Sequence, residues 1–190
     1  CLKTFTNDHR VRVTKMLIRK AFTSLLEKKP IQSISIKELC ELAGINRSTF
    51  YAHYTDVYDL RTKMEQEMLA DFNKAMRPLL EQKDNPVGIT AGIFQCLKDN
   101  SDLCIATLGD FGDKQFLMQL LSIGRDACLQ SYASYFAQAS PKKIEYFYAF
   151  VSAGCIGLLQ KWLADGMAAP AEELAHAAEQ IMLQGVGFLQ

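Results

Sequence analysis

Apolar residues recur at spacings of three and four along almost the whole of this chain, and alternating β-branched runs are nearly absent. A period near 3.6 puts those side chains on one stripe of a helix, and such a stripe is stable only when another helix covers it. Five prolines divide the pattern: Pro30, Pro78, Pro86, Pro141 and Pro170 stand where helices should begin or end. Proline lacks an amide donor and disfavours a helical residue before it. The expectation is an all-α protein of about nine helices. The first spans about Asp8 to Lys28, with Val13, Met16, Leu17, Ala21, Phe22 and Leu25 on its buried face. Two short helices follow, near 36–42 and 47–53, then a long one from Thr55 or Asp56 to Arg77. Five more fall near 86–99, 101–109, 113–138, 142–165 and 170–189. No internal repeat or low-complexity segment is visible.

The chain of 190 residues is long enough for one or two domains with an apolar core. Its net charge of zero hides an asymmetry. Residues 1–60 carry ten Lys and Arg against six Asp and Glu, and residues 61–190 carry the remaining eleven against fifteen. A basic first third on an acidic remainder implies that residues 1–60 form a domain facing a polyanion, and 61–190 a second domain with another task. One of the two longest uncharged runs, Tyr146 to Gln160, has fifteen residues between Glu145 and Lys161. That is short of the roughly 20 needed to span a bilayer. No basic segment with an apolar stretch behind it opens the chain, which starts at a cysteine. The reading is a soluble, cytoplasmic protein with no membrane partner. Six cysteines (1, 40, 96, 104, 128 and 155) are scattered without a CxxC pair or a histidine at ligand spacing. They suit a reducing cytosol and argue against both a disulfide framework and a metal site.

The most specific stretch is "SIKELCELAGINRSTFYAHY". "SIKEL" reads as a capping box, in which Ser35 accepts from the Glu38 amide and the Glu38 side chain reaches back to the cap. "AGI" breaks that helix, with Gly44 suited to a left-handed residue, and Asn46 caps the next. Two short helices around a tight glycine turn make a helix-turn-helix, whose second helix can enter a DNA major groove. With about 100° per residue, Phe50 and Tyr54 share the inner face. Ile36, Leu39, Cys40, Ala43 and Ile45 supply the inner face of the preceding helix and turn. Ser48 and Ala52 then point outward, flanked by Thr49 and Tyr51. The centre of the face is small enough for close approach to base edges. Hydroxyls, the Tyr51 phenol and the His53 imidazole can reach phosphates, and Arg47 a guanine edge. The same pattern also suits a solvated helix packed on its own domain, because helix-turn-helix geometry occurs in proteins that never touch DNA.

"SISIKELCELAGINRSTFYAHYTDVYDL" resembles the DNA-binding domain of the TetR family of bacterial transcriptional regulators. The matching positions are Ala43, Gly44, Ile45, Asn46, Thr49, Phe50, Tyr51, His53, Tyr54, Asp59 and Leu60, and with helix one the likeness covers roughly residues 8–62. It implies double-stranded operator DNA as a partner, with Ser35, Lys37, Asn46, Arg47, Ser48, Thr49, Tyr51, His53 and Tyr54 as DNA-binding residues. One departure stands out. Where members of the family often carry a lysine at the start of helix four, this chain has Val57, followed by Tyr58, so one phosphate anchor is lost or passes to the Tyr58 hydroxyl.

For the remaining two thirds the family implies a helical ligand-binding and dimerising domain. "YFYAFVSAGCIGLLQKWL" is too apolar for a lone surface helix, and Ser152, Ala153, Gly154 and Gly157 would let a partner helix approach closely. The last helix carries a stripe of Leu174, Ala177, Ala178, Ile181, Met182 and Val186. Together they suggest a homodimer with Gly154, Gly157, Leu158 and Ile181 in its interface; the alternative is two core helices of a monomer. "FYAFVSAGCIGLLQKWLADGMAAPAEELA" is also similar to a subgroup that includes an activator of a dihydroxyacetone kinase operon. The family further implies an unknown small apolar effector, in a pocket drawn from Met64, Met68, Phe72, Phe94, Phe111, Phe116 and Tyr132. Aromatic and Met side chains at helical spacing are more often plain core. Such a ligand would act through the start of helix four, near Asp56 to Leu60. No nucleophile motif, phosphate loop or metal-spaced cluster appears, and His9, His53 and His176 are isolated, so neither an enzyme nor a cofactor is expected. The expected function is a ligand-responsive repressor binding a near-palindromic operator as a homodimer. An activator of the same fold, or a helical adaptor without DNA binding, is the alternative.

Overall fold

The computed structural model describes residues 2–81, 86–185 and 187. Its nine α-helices are α1 (Leu2–Leu26), α2 (Ile36–Ala43), α3 (Arg47–Tyr51), α4 (Val57–Leu80), α5 (Pro86–Asp99), α6 (Ser101–Leu108), α7 (Lys114–Tyr135), α8 (Pro141–Ala164) and α9 (Ala171–Gln184). A 3-10 turn at Ile31–Ser33, not anticipated, follows Pro30 and buries Ile31. No strand occurs among the described residues.

Local chemistry sets most boundaries. The side chains of Asp56, Asp113 and Ser140 each accept from amides in the first turn of the helix they precede. At the end of α8, Gly166 and Met167 adopt positive φ of 69° and 53°, and the Met167 amide donates to the Trp162 carbonyl at 2.8 Å. The Trp162 indole N–H then reaches the Ala169 carbonyl at 3.0 Å, fixing the turn into α9. Several expected boundaries shift: α1 begins at Leu2 instead of Asp8, α7 ends at Tyr135 and α9 at Gln184. α4 does not stop before Pro78 but includes it and ends at Leu80. The missing proline donor falls in the last turn, where only one hydrogen bond is lost, and the Glu81 amide still reaches the Arg77 carbonyl at 3.2 Å.

The core runs through both halves of the chain. Ile18, Phe22, Leu39, Phe50 and Leu60 are almost wholly shielded where α1 to α4 meet. Along α4 the buried residues Leu60, Met64, Met68, Phe72 and Met76 follow at intervals of four, so one helix serves both ends of the core. α1 is rotated from the expected stripe: Ile18, Ala21, Phe22, Leu25 and Leu26 are buried, whereas Met16 and Leu17 are exposed. α9 is rotated too. Ala171, Ala175 and Ala178 face inward and Ile181 is exposed; Val186 lies outside the described residues. α9 packs chiefly on α5, where alanines permit a close approach. α8 spans 24 residues, and by length and composition it is apolar enough to cross a membrane, which the shorter uncharged run had not suggested. It carries Ile144, Val151, Leu159 and Trp162 on a buried side, leaving a second apolar side uncovered.

Candidate nucleic-acid interface and effector cavity

α2 and α3 meet through a fully formed glycine cap. Gly44 takes φ 66° and ψ 32°, its amide reaches the Glu41 carbonyl at 3.3 Å, and the Ile45 amide reaches the Cys40 carbonyl at 3.0 Å. This double bond pattern closes a helix on a left-handed residue and packs the residue after it against the helix. At the other end of α2, Ser35 Oγ accepts from the Glu38 amide at 3.2 Å. The reciprocal arm of the capping box is absent, because the Glu38 carboxylate turns to Lys29 Nζ.

α3 is short, and three contacts hold it. Asn46 Oδ1 accepts from the Thr49 amide at 2.8 Å and from the Ser48 and Thr49 hydroxyls at 2.7 Å each. Phe50 is wholly buried, with the Tyr51 ring edge-on to it at 5.6 Å between centroids. The helix is thus pinned by its cap and one anchor, and its opposite face is free. Arg47, Ser48, Tyr51 and Ala52 are exposed there, with Thr49 and His53 half-buried at the rim. Ser35 and Lys37 are exposed on the neighbouring start of α2, Lys37 with only a long ion pair to Glu41 at 3.9 Å.

Tyr54 does not belong to that face. It is 6% exposed, its ring lies 5.6 Å from Phe50, and burial pushes its phenol up to about 12, with the Glu67 and Asp59 charges adding and Arg19 opposing. Its role is to seat α3, not to present a hydroxyl. Asn46 likewise has its oxygen committed to capping. Val57 is buried, so the position where the family often places lysine faces the core, and Tyr58 is the exposed residue of that turn. Lys63 was not anticipated near the face. Its ammonium sits 3.2 Å from the His53 carbonyl and 2.9 Å from Asp59, which brings a cation to the end of α3. Its spacing of four from Asp59 is the signal that could have revealed it.

A second feature lies between α4, α5, α6, α7 and α8: an apolar cavity of about 120 Å³. Of the seven expected pocket residues, Phe72, Phe94 and Tyr132 line it. Met64, Met68 and Phe116 are buried in the core without lining it, and Phe111 is 39% exposed. The missed contributors come mainly from α7 and α8, among them Leu120, Gly124, Cys128, Tyr148, Val151 and Cys155. Burial pushes the Cys128 and Cys155 thiols up to about 11, so they stay protonated as small apolar groups.

α6 connects this cavity to the helix-turn-helix end. Thr107 and Leu108 line the cavity at one end of α6. At the other end Asp102 accepts from Arg19 Nε of α1 at 2.7 Å and from the Thr23 hydroxyl at 3.2 Å. Beyond α6, the Asp113 amide donates to the Ala106 carbonyl at 2.7 Å, and Asp113 lies 3.5 Å from Arg61 of α4. Finally, the uncovered side of α8 shows Tyr146 and Phe150 at 63% and 76% exposure, beside exposed Ala153, Gly154 and Gly157. Leu158 is half-buried, and open space surrounds both glycines. Exposed apolar patches of this kind mark protein or membrane contacts or ligand grooves.

Comparison with known proteins bears on the whole chain. A TetR family model described as "Transcriptional regulator C-terminal region" matches residues 84–184. No curated protein matches the sequence. The fatty acid degradation regulator FadR from Bacillus halodurans shares the fold with a TM-score of 0.68 at 13% identity, over 92% of this chain and 96% of its own. NalD, the secondary repressor of the MexAB-OprM multidrug efflux pump in Pseudomonas aeruginosa, gives 0.60 at 17%, over 90% and 95%. The dihydroxyacetone kinase operon activator DhaS gives 0.54 at 18%, over 90% and 94%. At these identities each likeness shows the fold alone.

Proposed function

Since the chain belongs to the TetR family of transcriptional regulators, which are not enzymes, we propose that it is a ligand-responsive repressor acting on a near-palindromic operator as a homodimer. The observation that carries this reading is the free face of α3. A helix whose cap and anchor are fully used, but whose small outward residues Ser48 and Ala52 are exposed, is shaped for close approach to a groove. In this reading Arg47 reads a base edge, while Tyr51, His53 and Lys37 contact phosphates. Residues 1–60 form the DNA-reading unit and 61–190 the regulatory one. Pairing of α8 and α9 with the same helices of a second subunit buries Tyr146, Phe150 and the glycine stripe. That pairing would set two α3 helices about 34 Å apart, on successive major-groove turns.

The effector occupies the cavity, and the ion pairs from α6 and Asp113 to α1 and α4 carry its effect. A ligand shifts DNA affinity only as far as it binds one state better than the other. Repression is the output of the similarly folded NalD, whereas the likeness to DhaS favours activation as a second reading.

The test begins by selecting genomic fragments with the purified protein, then measures operator affinity at two salt concentrations. Arg47→Ala should cost about 1–3 kcal/mol and relax preference at one base position per half-site. Tyr51→Phe and His53→Ala should weaken all sequences about equally. Ser48→Leu should abolish specific binding with an unchanged melting curve. Wild-type-like binding by Ser48→Leu would show that α3 points elsewhere. A reporter gene downstream of the operator separates repression from activation.

A further inference from the structure

The cavity between α4 and α8 has a chemistry of its own. None of its lining side chains carries a formal charge. The hydroxyls of Thr107 and Ser152 turn to their own helices, donating to the Cys104 carbonyl at 3.4 Å and the Ala149 carbonyl at 3.2 Å. On the α7–α8 wall, Arg125 stands over the Tyr148 ring at 5.8 Å. It is already engaged with Asp126 at 3.4 Å and Glu145 at 4.0 Å. Tyr132 is different. It is 6% exposed, its ring is held edge-on against Phe147 at 5.1 Å, and its side chain forms part of the cavity wall. Among the described residues no hydrogen bond engages its hydroxyl, and burial raises its pKa, so it remains a donor at neutral pH.

We propose that the cavity takes a compact, uncharged, apolar molecule bearing one carbonyl oxygen, and that the Tyr132 hydroxyl donates to that oxygen. This rests on the cavity being the effector site. An ionised ligand entering the cavity would lose its hydration with no counter-charge to replace it, a cost a neutral molecule avoids. A hydrocarbon would enter but leave the phenol unanswered. Size sets the other limit. A cavity of about 120 Å³ is close to the engineered void of about 150 Å³ that accommodates benzene. It therefore suits one ring with a small substituent, or a short chain, but neither a fused ring pair nor a long acyl tail. Cys128 and Cys155, both on the wall and both protonated, add polarisable apolar surface and no charge.

The experiment uses the full chain and three probes of matched size: acetophenone, ethylbenzene and benzoate, measured by calorimetry at pH 7.5. The ketone should bind most tightly and the carboxylate at least about a hundredfold more weakly. In Tyr132→Phe the ketone should lose roughly five- to tenfold while the hydrocarbon is unchanged, which also shows that the cavity remains intact. If benzoate binds as tightly as the ketone, the cavity is a ligand site but its assigned chemistry is wrong. If Tyr132→Phe keeps the ketone's advantage over the hydrocarbon, the donor is misassigned. Failure of all three probes to bind would overturn the effector site itself, and this proposal with it.

Discussion

Replacing Glu65 with glutamine should stabilise the protein at alkaline pH and leave it nearly unchanged below about pH 4.5. Arg61 of α4 lies between two carboxylates, with Nε 3.7 Å from Glu65 Oε1 and Nη2 3.5 Å from Asp113 Oδ2. One guanidinium thus serves two anions in a half-buried seam, and both Arg61 Nε and Glu65 Oε1 are shielded without a hydrogen bond. Burial pushes the Glu65 carboxyl from the usual 4.5 up to about 7, the Asp113 charge adding and the Arg61 charge opposing. A raised value means that the folded state holds this proton more tightly than the unfolded chain does. The resulting stabilisation is fully present below pH 4.5 and is lost as pH rises through about 7. At about 1.4 kcal/mol per tenfold change in proton affinity the ceiling is about 3 kcal/mol, and relaxation of the seam reduces it to about 1–3 kcal/mol. For a chain of this length each kcal/mol moves the melting temperature by about 2–4 °C. Glutamine keeps the shape, carries no charge at any pH, and leaves Arg61 to Asp113 alone. Melting curves of wild type and Glu65→Gln, from pH 4.5 to 8.5, give the answer, since other titrating groups cancel in the difference. The wild type should lose stability faster with pH, and the variant should melt about 3–10 °C higher at pH 8.5. Parallel curves, or a variant less stable at pH 8.5, would refute the idea that Glu65 is held in a strained, shared ion pair.

Two further substitutions probe the glycines. Gly44→Ala meets no atom within 4 Å, so its cost is the left-handed φ of 66° alone, about 1 kcal/mol in urea unfolding, and Gly44→Asn should restore part of it. At Gly157 an added Cβ also meets no atom within 4 Å in one chain, and the residue is exposed, so Gly157→Leu should fold normally; sedimentation should nevertheless show a weakened dimer, and an unchanged dimer constant would remove Gly157 from the interface.

Helix positions were legible in the sequence because their determinants are local. The Ser35, Asn46 and Asp56 caps act within their own first turns, and the Gly44 turn closes through hydrogen bonds spanning at most five residues. The outward placement of Ser48 and Ala52 followed from helical geometry once Phe50 was taken as the anchor. Which stripe of each helix is covered was a different matter. α1 offers Met16 and Leu17 as readily as Ile18, and only the positions of α2 and α6 decide that Ile18 is shielded while the others face water. Helical geometry had already put Tyr54 beside Phe50 on the inner face, and the packing of the two rings bears that out against the DNA-contact role that the resemblance implied for it. The cavity was least legible of all. Met64, Met68 and Phe116 share the apolar character of Phe72, Phe94 and Tyr132, yet the first three fill the core and the second three border an empty space. A void is bounded by side chains far apart in sequence, here from five helices, and no period along one chain records where their surfaces fail to meet.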